Sequence, residues 1–134
     1  MSGFRFAVAV ALGSLLAGCS TPGLQGHTSQ DCRPHSDCDV VVDPQAGKWV
    51  PDEIISKAGQ KLQFKVRNNV ARFADPGIRF KTAEGVAKFP CTRQNDHHVK
   101  CDNNGDVAIQ YPYMVRILRS NGTVAEYDPF VWNR

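Results

Sequence analysis

The sequence predicts an all-β domain, a small antiparallel Greek-key β-sandwich stapled by two disulfides. Three observations carry this. Beyond Cys38 the apolar residues recur with the period of two that marks strands, not the period of 3.6 that marks helices. Turn residues punctuate the chain at intervals of about ten positions, as in a sandwich or small barrel. The cysteines other than Cys19 form two close pairs, Cys32 with Cys38 and Cys91 with Cys101, as a small disulfide-stapled domain requires.

Each element follows from a local pattern. The run VVV at 40–42 reads as a strand, ended by Pro44 and Gly47. In PDEIISKAG, residues 51–59, Asp52 and Glu53 would suit the first turn of a helix, but β-branched Ile54 and Ile55 favour a strand. In KLQFKVR, residues 61–67, Leu62, Phe64 and Val66 alternate with Lys61, Gln63, Lys65 and Arg67, the signature of a sheet with one wet face. DPGIRFKT supplies a turn and then sets Ile78 and Phe80 against Arg79 and Lys81. Tyr111, Tyr113, Val115 and Ile117 alternate with Pro112, Met114, Arg116 and Leu118, a strand expected to be buried on one face and partly on both.

NNGD at 103–106 and SNGT at 120–123 are turn sequences. The second is expected to be a two-residue hairpin with Asn121 and Gly122 both at positive φ. No window of about eleven residues after Cys38 carries helical periodicity. The tail YDPFVWN brings Tyr127, Phe130 and Trp132 together, with Phe130 and Trp132 on one strand face. They are expected to close the end of the core; if exposed, they would mark a partner-binding surface.

Four cysteines permit three pairings. The local ones are favoured because each brackets a loop-like segment, CRPHSDC with its Pro34 and CTRQNDHHVKC between two apolar runs. Rings this small contribute roughly 2 to 3 kcal/mol each. Neither spacing is the CxxC of a redox catalyst, so the role is structural. His35 lies within the first bracket and His97 and His98 within the second, but oxidised sulfurs do not ligate zinc.

The first five residues carry the amino terminus and Arg5, and an uninterrupted apolar and small stretch follows at 6–16, a charged-then-oily layout of secretory signals and too short for an ordinary membrane span of about 20 residues. Leu16, Ala17, Gly18 and Cys19 that follow resemble the lipobox of bacterial lipoproteins. The resemblance implies a signal peptide at 1–18, a diacylglycerol on the Cys19 sulfur and an acylated new amino terminus. Ser20 in place of the aspartate that retains such proteins at the inner membrane implies the periplasmic face of the outer membrane. Several acyl chains anchor stably where one does not. Residues 19–31, rich in Gly, Ser, Thr and Pro, are expected to be a flexible tether of roughly 20 Å root-mean-square span, with the sandwich at 32–134. Loss of residues 1–18 removes only Arg5 from sixteen basic residues, leaving fifteen against thirteen acidic ones. Near neutrality with no cluster of Lys or Arg argues against nucleic acid as a partner.

PDEIISKAGQKLQFKVRNN, residues 51–69, resembles the opening of cupredoxins and related Greek-key and immunoglobulin-like sandwiches. The resemblance implies shape and not copper. A type 1 site needs two histidines, a thiolate and usually a methionine, the last ligands close together near the carboxyl end. Residues 111–134 hold no Cys or His, and Met114 stands alone. No cofactor is expected.

Motifs for nucleophilic, zinc-dependent or nucleotide chemistry are missing from the sequence, and Asp43, Asp75 and Asp128 each precede a proline, where turn formation accounts for them. No catalytic residue is expected. The expected function is a non-catalytic protein-binding or envelope-assembly module with an envelope protein as partner and the membrane engaged through the lipid. An inhibitor or immunity-type role is the near variant of this. The contrasting readings are a metal handler using the His97 and His98 loop with Asp96 and Asp102 nearby, and a hydrolase built from distant carboxylates.

Overall fold

Alternation that buries every second residue must lay those residues against a second layer, and the chain does so with itself. The computed structural model describes residues 26–134, which form a small β-sandwich. In chain order the elements are β1 (Ser29–Asp31), β2 (Cys38–Val42), β3 (Glu53–Ser56), β4 (Leu62–Val66), β5 (Arg72–Phe80), α1 (Ala83–Lys88), β6 (Cys91–Asn95), β7 (His98–Cys101), β8 (Gln110–Leu118), β9 (Val124–Tyr127) and β10 (Phe130–Asn133). One sheet runs β1-β3-β10-β8-β5, with β9 pairing β8 where β10 stops; the other runs β2-β4-β7-β6.

The expected alternation is what builds the interior. Leu62, Phe64 and Val66 of β4 and Tyr111, Tyr113, Val115 and Ile117 of β8 are all buried. The two sheets meet where the Phe64 and Tyr113 rings lie 5.5 Å apart. Phe80 stacks on Phe89 at 4.3 Å, and Phe89 meets Tyr111 edge-on at 4.9 Å. Such ring geometries add to the area these side chains bury. The short α1 is set by Thr82, whose hydroxyl accepts from the Gly85 N–H at 2.9 Å.

Both sheets are mixed. β1 and β10 flank β3 in parallel, and β2 runs parallel to β4, while the other pairs are antiparallel. The reason lies in the connections: β1 to β2 and β3 to β4 cross from one sheet to the other instead of doubling back, so successive crossings lay like-directed strands side by side.

Three local expectations change. The stretch expected to be a tether as far as residue 31 ends earlier, because Ser29–Asp31 pair with Glu53–Ile55 and Thr28 bonds to Asp52. Backbone partners on an open sheet edge order residues whose side chains could not. Phe130 and Trp132 share a face, as expected, but that face points away from the core. Val131 and Asn133 take the inner positions, and Phe130 and Trp132 lie half-buried on the outer surface. At 120–123 only Gly122 has positive φ, at 83°. The Gly122 N–H bonds the Arg119 carbonyl at 3.0 Å, and the Thr123 and Arg119 backbones pair at 2.9 Å. This is a longer hairpin in which glycine alone takes the left-handed position, and Asn121 contributes through its side chain.

The ends of the sandwich differ. Both disulfides lie at one end, Cys32–Cys38 linking the end of β1 to the start of β2 across the two sheets, and Cys91–Cys101 joining β6 to β7 at a Cα separation of 4.0 Å. Beside them Ser56, Asn103 and Asn133, each at most 1 % exposed, form a closed network. Ser56 and Asn103 both donate to Asn133 Oδ1, at 2.7 and 2.8 Å, while Asn133 Nδ2 reaches Asn103 Oδ1 at 2.8 Å and the Gly105 carbonyl at 2.9 Å. A Cβ on Gly105 would stand 2.8 Å from Asn133 Nδ2 and from the Tyr111 ring, so only glycine fits. The opposite end is made of loops.

Candidate functional site

Four connections gather at that open end, after β2, after β4, between β6 and β7, and between β8 and β9. Three of them are braced by a side chain of their own. Asp43 Oδ1 accepts from the Gln45 N–H at 3.1 Å, and the Asp43 N–H reaches the Trp49 carbonyl at 2.8 Å. Asn95 Oδ1 accepts from the His97 N–H at 2.8 Å, and Asn121 Oδ1 from the Thr123 N–H at 3.0 Å. Asn68 and Asn69 hold the left-handed region at φ 52° and 53°, which asparagine tolerates better than most side chains. The β6–β7 turn also bonds its neighbours, its His97 and Asp96 carbonyls accepting from the Val66 and Phe73 N–H groups at 2.9 and 2.8 Å, and between the loops lies a cleft of about 570 Å³, lined among others by Trp49, Asn69, Arg72, His97, Arg119 and Asn121.

The charges around the cleft are unequal in how they are held. Arg67 stands 3.9 Å from Asp43, and Arg93 2.9 Å from Asp96. The Arg93 hydrogen bond holds the Asp96 carboxyl below its ordinary range against the opposing effect of burial, with Arg72 adding a smaller electrostatic pull. Arg72 and Arg119 are exposed and make no ion pair among the described residues.

One wall of the cleft adjoins the start of the described chain. Trp49 stacks on Tyr127 with ring centres 5.7 Å apart. Its neighbour Lys48 donates to the Gly26 carbonyl at 2.8 Å and pairs with Asp52. Burial pushes the Asp52 carboxyl up, but the Lys48 ammonium, the Thr28 N–H and the Tyr127 hydroxyl outweigh it and hold the pKa at about 2. Burial, and then the Asp52 charge, push the Tyr127 hydroxyl upward. Next to Asp52, Glu53 receives His27 Nε2 at 3.3 Å and lies 3.8 Å from Arg134.

Around the corner, on the outer face of the larger sheet, His27 stacks over Phe130 at 6.2 Å and the Arg134 guanidinium lies 3.6 Å above the Trp132 ring. Half-buried Ile55, Pro112 and Met114 lie on the same face. Trp, Phe, Met and Arg are the side chains enriched where proteins bind one another.

The residues singled out in the sequence fall in separate places. Cys32, Cys38, Cys91 and Cys101 form the two local disulfides. His97 and His98 sit at the β6–β7 turn: His97 lines the cleft, while His98 Nε2 meets Gln63 Oε1 at 2.9 Å. Burial, then Lys65 and Lys100, push the His98 pKa down. Among the described residues no three His, Cys, Asp or Glu side chains converge as metal ligands, and Asp96 turns to Arg93. Tyr127 belongs to the cleft wall, whereas Phe130 and Trp132 belong to the outer face. Leu16, Ala17, Gly18 and Cys19 lie outside the described residues. Among those described, no helix is long and apolar enough to cross a membrane.

Sequence reasoning missed Trp49, Arg72 and Arg119. They come from connections far apart in the chain, and nothing local distinguishes them from other surface residues. The chain matches no protein-family model and no curated protein sequence.

Proposed function

We propose that the protein is a lipoprotein anchored through Cys19 to the periplasmic face of the outer membrane, acting as a non-catalytic binding or assembly module for another envelope protein. The observation that carries the binding reading is the outward display of Phe130 and Trp132, with Arg134 laid on the indole. A strand that places its valine and asparagine inward and its aromatics outward presents on its surface the groups that anchor protein interfaces. Two disulfides support an oxidising compartment, and the order of basic start, apolar run and Leu16-Ala17-Gly18-Cys19 supports the lipid.

Two measurements test this. Intact mass of the protein taken from membrane fractions is expected to match a chain beginning at Cys19 with diacylglyceryl and acyl groups added; a free thiol at that position removes the anchor. Photo-crosslinking in cells from position 112 or 114 is expected to give one discrete neighbour, lost in W132A/R134A while the folded domain persists. Unchanged crosslinking in that variant removes the outer face as the binding surface.

A further inference from the structure

We propose that the open end of the sandwich is a second membrane contact: the cleft bounded by Trp49, Arg72 and Arg119 takes the phosphate of an anionic phospholipid, seating the domain end-on against the bilayer. This rests on the lipidated reading of Cys19.

The place where the described chain begins is the first support. The Gly26 carbonyl bonds Lys48, and Lys48 precedes Trp49, whose indole lines the cleft. Seven peptide steps separate Cys19 from Gly26. They can span at most about 24 Å. The nine residues of β8, at about 3.4 Å each, already measure roughly 30 Å from one end of the sandwich to the other. Because β1 runs parallel to β3 toward Ser56 and the stapled end, the described chain begins on the side that faces the open end, and a link no longer than this favours that end toward the lipid.

Charge is the second support. Asp43, Asp52 and Asp96, the carboxylates beside the loops, are each held by a cation of their own, Arg67, Lys48 and Arg93. Arg72 and Arg119 are left over, so the cleft keeps two guanidinium groups with no counter-ion from the described protein. Guanidinium is the side chain that matches phosphate by paired hydrogen bonds. Asn69, Asn121 and Gln45 add neutral donors on the same rim. Trp49 supplies the flat amphipathic ring that settles at the headgroup level of membranes. Anionic leaflets attract basic residues over about a Debye length, well within the reach of this tether.

The test uses the native lipoprotein reconstituted in vesicles of phosphatidylcholine alone or mixed with phosphatidylglycerol, read by amide hydrogen exchange over 67–72 and 118–122. Slower exchange in the mixed vesicles is expected, reversed by high salt. In R72A/R119A the ratio of docked to free domain is expected to fall about 25-fold, fivefold per charge removed, and R72K/R119K, which keeps the charges but not the paired hydrogen bonds, is expected to fall between that variant and the parent. Equal exchange in the two kinds of vesicle, or protection that survives in R72A/R119A, overturns the proposal. So does protection by inorganic phosphate in a sample where the vesicles give none, since the cleft would then serve a soluble anion. Mass analysis of Cys19 in the same sample separates a failed anchor from a failed cleft.

Discussion

The two ends of this sandwich solve the same problem, how to join strands of different sheets, in opposite ways. At the stapled end the joints are bonded to one another. Two disulfides, the Ser56, Asn103 and Asn133 network and the packed Gly105 link β1, β2, β3, β6, β7 and β10 into one block. At the open end Asp43, Asn95 and Asn121 each brace their own turn, the links between loops are single backbone bonds and the Arg67–Asp43 pair, and the gap between loops becomes a cleft. Cross-linked joints concentrate reinforcement at one end; lightly linked joints leave a cleft at the other. A domain this small gains little from its core alone, so the reinforcement at the stapled end carries a large share of its stability.

The largest perturbation expected to break this contrast is loss of both disulfides. With rings closed over sequence separations of 6 and 10, chain entropy assigns them together about 5 kcal/mol. Denaturant unfolding with and without reductant measures it, and a reduced protein within about 1 kcal/mol of the oxidised one would mean the staples are not what sets the ends apart. Next comes N133A, which strips partners from Ser56, Asn103 and the Gly105 carbonyl inside a dry network and should cost about 3 kcal/mol. Chemical melts of N133A beside N121A, expected to lose about 1 kcal/mol or less, compare a buried joint with a self-closing one.

Acid sharpens the comparison further, because it acts on the open end. Asp52 has a folded pKa of about 2 against an ordinary 3.8. Its contribution is therefore complete above about pH 4 and fades as the pH falls toward 2. The carboxylate is a quarter exposed, which limits that contribution to about 1 kcal/mol. Hydrogen exchange at Thr28 and Ser29, which Asp52 helps to dock, should quicken over that range in the native protein and already be quick at neutral pH in D52N. The smallest effect is expected from R72A and R119A, each within about 0.5 kcal/mol of the parent by thermal melt, since neither side chain holds the fold. A larger loss would make these arginines structural and deprive the cleft of its free cations.

Much of this molecule was legible in its sequence. Leu62, Phe64 and Val66, and Tyr111 through Ile117, alternate so strictly that the strands and their inner faces follow directly. The local disulfides follow from the loop-like character of the segments they bracket. The outer position of Phe130 and Trp132 did not, because alternation fixes which residues share a face but not which face meets the core. The last strand resolves that choice by sending Asn133 inward to complete a network with Ser56 and Asn103, residues 77 and 30 positions away. Nor did the ordered stretch at Ser29–Asp31 show itself, since its partners are backbone groups of β3 and backbone groups carry no sequence signature.

What the sequence determined alone is what depends on near neighbours: strand period, the turns at Asp43-Pro44 and at 120–123, the charged-then-oily amino-terminal pattern and the pairing of close cysteines. Only the tertiary structure decided that Trp49, Arg72 and Arg119 surround one cleft and that Lys48, next to Trp49, meets the Gly26 carbonyl. Such proximity is produced by strands that cross between sheets, and the free energy that selects those crossings is spread over the whole core, not written in any short stretch of residues.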